Sequence, residues 1–392
     1  MPISNTIFSV FAFIGFLFCA IPLTWHLRNG NTGMCLLMTW LGVSCLYQFI
    51  NSIVWNGNVG NWSPVWCDIG IRIYLGSGVG IPASTLCIFR RLYRITRARG
   101  TIPIPDKSEK RRQIMFDLAL GLGLPVLELL LAYISEGHRY NILEDIGCTP
   151  AFYNSPVFVA LSNTPPILIG LVTARYAVLT IIAFNRRRIE FKELLEKHSN
   201  LTSAFYVRLM CFACLELLWT IPVASFFLYV AVKVGLQPWT NWDDVHFNFS
   251  RVVFVPRTVW ESDRLATVTN ELGRWLGVIG AFNFFAFFGF AEEARMNYRA
   301  AYRAVAKVIG ISTASSEQLG DLRPTSKKND IDIGALIFAH TANTASSMSI
   351  SDVEAQKSVE KEDSESINDH IYSISPTIPE PALIKSKTFT IP

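Results

Sequence analysis

Charge is what this chain has least of. Acidic and basic residues make up 17% of its 392 positions, against roughly 25% in an ordinary soluble domain. Catalytic patterns are lacking too. No Gly-rich loop follows a strand to cradle phosphate, no His-Glu pair stands at metalloprotease spacing, and no nucleophile elbow occurs. The six histidines are scattered. Cys211 and Cys214 form a CxxC with no second pair to complete a zinc site, so they read as small packing residues. Nothing in the chain asks for a metal, a cofactor or a nucleic acid, and the sequence is read as non-enzymatic.

What the chain has instead is long uncharged runs, in keeping with 51% hydrophobic residues. Between Arg72 and Arg90 lie 17 of them in a row. As a helix they would span roughly 26 Å, close to the hydrocarbon thickness of a bilayer. Further runs read as spans at Thr6–Trp25, Met34–Val54, Met115–Ile134, Val157–Phe184, Ala204–Val232 and Ala266–Ala291. The expected fold is an all-α membrane protein, a bundle of seven transmembrane helices over residues 1–291. A signal peptide is the competing reading of the first run, but no Lys or Arg precedes it.

Orientation follows from the basic residues. With the N-terminus outside, cytoplasmic segments up to Lys307 hold 19 Lys and Arg and external segments 5, as the positive-inside rule requires. Asn61-Trp62-Ser63 and Asn248-Phe249-Ser250 are glycosylation sequons in expected external loops. Residues 292–310 place Arg295, Arg299, Arg303 and Lys307 four apart, which reads as an amphipathic juxtamembrane helix on membrane lipids. From 311 to 392 the chain is acidic and rich in Ser and Thr, too polar to order itself, and is expected to be a disordered cytoplasmic tail.

Six of the eight cysteines fall inside expected spans. Only Cys67 and Cys148 face an oxidising compartment. A bond between them would pin the second external loop over the mouth of the bundle; the alternative is two free thiols at the interface. Charges inside spans need partners. Arg175 and Glu216 lie at similar depth on neighbouring spans, which suggests a latch that releases on activation, or else a static pair. Arg72 and Arg274 sit near outer helix ends, where they would meet a ligand or cap the interface. Prolines at 22, 82, 125, 165, 166 and 222 interrupt the spans, and Gly76, Gly78 and Gly80 permit close helix approach.

Several stretches carry a resemblance. Pro82-Ala83-Ser84-Thr85-Leu86-Cys87-Ile88 leads into Arg90-Arg91-Leu92-Tyr93-Arg94-Ile95, Trp66-Cys67-Asp68-Ile69 opens the third span, and Glu144-Asp145-Ile146-Gly147-Cys148 forms a loop. Arg208-Leu209-Met210 enters the sixth span, and Phe287 to Arg295 leaves the seventh. Together they resemble the fungal mating-pheromone receptors of the a-factor type, class D G-protein-coupled receptors, basidiomycete members above all. The resemblance covers residues 1 to about 305 and stops at the tail. It implies a plasma-membrane receptor for a short farnesylated peptide, signalling through a heterotrimeric G protein to a mating MAP-kinase cascade. Ligand-binding candidates are then Trp66, Arg72, Tyr74, Glu144, Asp145 and Arg274. Arg90, Arg91, Arg94, Arg186, Arg187, Arg188, Arg295 and Arg299 are candidates to face the G protein. A receptor-like protein without a mating role, and a small transporter, are the alternatives; no repeated half supports the second.

Overall fold

The computed structural model describes residues 3–28, 31–97, 107–186 and 201–290. Helix α1 is Ile3–Arg28, α2 is Thr32–Val54 and α3 is Pro64–Arg97. α4 (Lys107–Leu118) passes through a π-helical turn, Ala119–Gly123, into α5 (Leu124–Ser135). The short α6 (Pro156–Phe158) likewise runs through a π turn, Val159–Asn163, into α7 (Thr164–Arg186). α8 is Leu201–Val234, α9 and α10 are single turns at Trp242–Val245 and Arg257–Trp260, and α11 is Arg264–Phe288.

Six of these continuous helices are long and apolar enough to cross a membrane: α1, α2, α3, α4–α5, α6–α7 and α8. α11 matches them in length but carries Asn270, Glu271, Arg274 and Asn283, so composition alone does not mark it as a span. Helix ends differ modestly from expectation. The largest difference is at α4, which starts at Lys107 rather than Met115. Lys, Glu, Arg and Gln are good helix formers, and they carry the helix beyond its apolar part.

The all-α expectation needs one correction. A three-stranded sheet lies at the end of the bundle where α3 begins. Its strands are β1 (Tyr140–Leu143), β2 (Gly147–Thr149) and β3 (Val252–Val255), in the order β2-β1-β3. β1 and β2 form an antiparallel hairpin, while β1 and β3 pair in parallel, Tyr140 opposite Val252. At the hairpin tip Asp145 has φ 68 and Gly147 has φ 89. Asp tolerates the left-handed region. At Gly147 a Cβ would also lie 2.8 Å from the Asn51 side chain, so the position takes only glycine comfortably.

α3 is the hub, packing against α2, α5, α7 and α8. Two-thirds of the apolar stretch in α2 and α3 (67%) is buried inside the protein, against 22–28% in the other spans. Those others turn side chains such as Leu130, Leu168 and Leu218 outward, as lipid-facing helices do. The core runs from Phe8 and Ala12 through Met38 and Leu41 to Phe212 and Phe284. Phe212 meets Phe284, Phe287 and Phe288 edge-on at 5.4–6.0 Å, which joins α8 to α11.

Proline chemistry explains the first π turn. Pro125 has no N–H to donate to the carbonyl of Gly121, one helical turn back. Trp40 of α2 supplies the missing donor, its Nε1 lying 2.9 Å from that oxygen. The Trp40 ring lies against α3 where Gly76 and Gly80 lack side chains: a Cβ on either would come within 2.9 Å and 2.4 Å of it. Gly78 meets nothing within 4 Å; it borders a cavity instead.

Candidate functional site

A cavity of about 570 Å³ lies within the bundle. Its walls come from α2, α3, α5, the second π turn, α8 and α11, and the hairpin side chains Leu143, Ile146 and Cys148 form part of its roof. Most of the wall is apolar. Tyr74, Glu128, Asn163, Glu216, Asn270 and Arg274 supply the main polar groups.

The roof is tied down at several points. Cys67 at the start of α3 and Cys148 in β2 form a disulfide, with Cα atoms 5.4 Å apart. The Tyr47 hydroxyl donates to the Cys148 carbonyl at 2.5 Å. Glu144 accepts the backbone N–H of Arg257 at 2.8 Å, which satisfies an unbonded donor at the start of α10. Asp145 accepts from the Gly57 N–H at 2.9 Å and pairs with the Arg257 guanidinium at 3.3 Å. Trp260, 5% exposed, donates its indole N–H to the Glu144 carbonyl.

Around the rim, Arg72 makes a two-pronged pair with Glu136, one contact being 2.8 Å. Arg139 does the same with Asp68 at 3.0 and 2.6 Å. The Asp68 carboxylate, through these hydrogen bonds, raises the Arg139 guanidinium above its ordinary pKa.

Of the six ligand candidates, the structure brings Tyr74 and Arg274 to the cavity. Arg72, Trp66, Glu144 and Asp145 do not line it. Trp66 donates its indole N–H to Asn51 at 2.9 Å, and the other three hold the rim and roof together. Arg274 is itself engaged. It contacts Glu271 at 2.9 Å and Asn5 at 3.4 Å, and its guanidinium carbon lies 4.5 Å from the Phe8 ring centre.

Arg175 and Glu216 are not joined. Arg175 lies on an exposed face of α7, while Glu216 is buried on the cavity wall. Among the described residues no ion pair links them. Sequence reasoning also passed over Glu128, Asn163 and Asn270 as cavity groups. Glu128 was visible as one of two acids of its span, the other being Asp117 near its end; the two asparagines gave no signal.

At the opposite end of the bundle the basic residues are partly occupied. Arg90 pairs with Asp117 at 3.2 Å and stacks 3.5 Å over the Phe116 ring. Arg91 donates to Asn31 at 3.3 Å. Arg94 and Arg186 are exposed. Arg187, Arg188, Arg295 and Arg299, the juxtamembrane helix and the tail lie outside the described residues.

A roofed cavity inside a bundle of apolar helices marks a multi-pass membrane protein. A sequence model of the pheromone A receptor family matches residues 7–308, and the chain belongs to that family. It is 44% identical to the Pheromone B alpha 1 receptor of Schizophyllum commune over 316 residues, 80% of this chain and 48% of that protein. Identity to the Pheromone B alpha 3 receptor of the same species is 41% over 358 residues, 91% of this chain and 56% of the other. Pheromone receptor 1 of Mycosarcoma maydis is 30% identical over 294 residues, 74% of this chain and 82% of its own length. The chain thus spans about half the length of its Schizophyllum relatives.

Proposed function

We propose that this chain is a G-protein-coupled receptor that binds a mating pheromone, a farnesylated peptide, in the roofed cavity and signals through a heterotrimeric G protein to a mating MAP-kinase pathway. The observation that carries it is the cavity, in a chain belonging to the pheromone A receptor family. A volume of about 570 Å³ with mostly apolar walls suits an apolar chain with a few polar groups to orient it. α11 is the seventh span, its polar side chains turned to the cavity and to α1. The N-terminus and the roof are outside: the disulfide and the sequons at Asn61 and Asn248 belong to the roof end. The exposed Arg94 and Arg186 belong to the opposite, cytoplasmic end. Residues 1–291 form the bundle, 292–310 a juxtamembrane helix and 311–392 a cytoplasmic tail, in the plasma membrane.

The test is a cell whose G-protein pathway drives a reporter, expressing this chain and challenged with a panel of farnesylated peptides and their unfarnesylated twins. Output that depends on the farnesyl group is expected for at least one peptide. A receptor that reaches the cell surface and stays silent across the panel would leave only a receptor-like protein without a mating ligand.

A further inference from the structure

Glu216 is a carboxyl group without a counter-charge. Its side chain is 6% exposed, on the wall of the cavity. Among the described residues its carboxyl oxygens have no hydrogen-bond or ion-pair partner, and no charged side chain is close enough to act on it. Glu128, 5% exposed, borders the same space with Ser162 beside it. Asn163 adds a buried Nδ2 with no partner, on the same wall. Among the described residues the one cation of the wall is Arg274, already held by Glu271 and Asn5.

Two buried carboxyls facing a shared space, with no cation to offset them, are an unfinished site. We propose that Glu216 is the seat for a positive charge that enters the cavity, with Glu128 a second carboxyl on the same wall: the charge is an ammonium or guanidinium of the ligand, or a free alkali cation. The charge pairs with the Glu216 carboxylate while apolar walls take the rest of an organic occupant. The first source rests on the cavity being the pheromone site; the second does not.

The experiment follows thermal unfolding of the purified full chain in detergent, with two pairs of probes. One pair is sodium chloride against N-methyl-D-glucamine chloride at equal ionic strength. The other is farnesylcysteine methyl ester, whose amine is protonated, against its N-acetyl derivative, which keeps the lipid and loses the charge. Wild type is expected to favour sodium over the bulkier N-methyl-D-glucamine cation, or the free amine over its acetylated twin, by about tenfold or more in apparent affinity. Glu216→Gln should remove that preference, Glu128→Gln should reduce it, and Glu216→Asp should keep part of it.

Preference for the amine over its acetylated twin assigns the site to the ligand. Preference for sodium alone, with neither lipid probe binding, supports the cation site and tells against the cavity as a lipid pocket. Equal response to both members of each pair in wild type overturns the proposal even if both lipids bind. So does a preference that survives in Glu216→Gln and Glu128→Gln. Should Glu216→Gln not fold, Glu128→Gln and Glu216→Asp decide the matter by whether they weaken the preference.

Discussion

Gly80→Ala tests the packing of α2 against α3 and α4–α5 most directly. A Cβ there would lie 2.4 Å from the Trp40 ring, about 1 Å inside ordinary contact. Trp40 has no easy retreat, because its Nε1 is bonded to the Gly121 carbonyl that Pro125 leaves without a donor. Overpacking of this kind costs about 1–3 kcal/mol, and losing the indole bond adds about 1 kcal/mol. Replacing glycine by alanine inside a helix returns about 1 kcal/mol. The net expectation is a loss of about 1–3 kcal/mol, read as an unfolding midpoint lower by several degrees in detergent. Gly78→Ala is the control: nothing lies within 4 Å of its Cβ, so the same propensity gain should leave the midpoint equal or higher. Trp40→Leu should relieve the clash, making the double variant with Gly80→Ala less damaged than the sum of the singles. If Gly80→Ala and Gly78→Ala unfold at the same temperature, the wedge described for Trp40 is wrong.

Two further outcomes follow from the rim and roof. The disulfide closes a loop with a sequence separation of 81; removing it should cost roughly 4 kcal/mol, and Cys67→Ser, Cys148→Ser and the double variant should show nearly the same midpoint. Arg72→Met should destabilise clearly more than Arg139→Met, because the first strands a Glu136 side chain that is 2% exposed and the second an Asp68 side chain that is 44% exposed; equal losses would show that burial does not govern these pairs.

Six of the seven expected spans were legible because a bilayer imposes a length, and apolar runs of that length announce themselves. The pairing of Cys67 with Cys148 had a footing for a similar reason, since the other six cysteines were inside apolar runs. The strands were not. Tyr140–Leu143 and Val252–Val255 are four residues each, too short for periodicity to register, and each finds its partner only when two distant loops meet. Arg175 and Glu216 illustrate a second limit. Counting residues gives the height of a side chain in a helix, but its direction turns by about 100° per residue, and neighbouring helices decide which direction faces inward. Equal height placed one on an outer face and the other on a cavity wall.

The parallel seam between β1 and β3 carries a lesson about biogenesis. Tyr140 finds Val252 only after α6 to α8 have been laid down between them, so a chain delivered from its amino end holds a hairpin with one bare edge through most of its synthesis. Whatever escorts that edge in the meantime, the roof closes late, and a chain cut short before Val252 would keep its hairpin yet never acquire a finished lid.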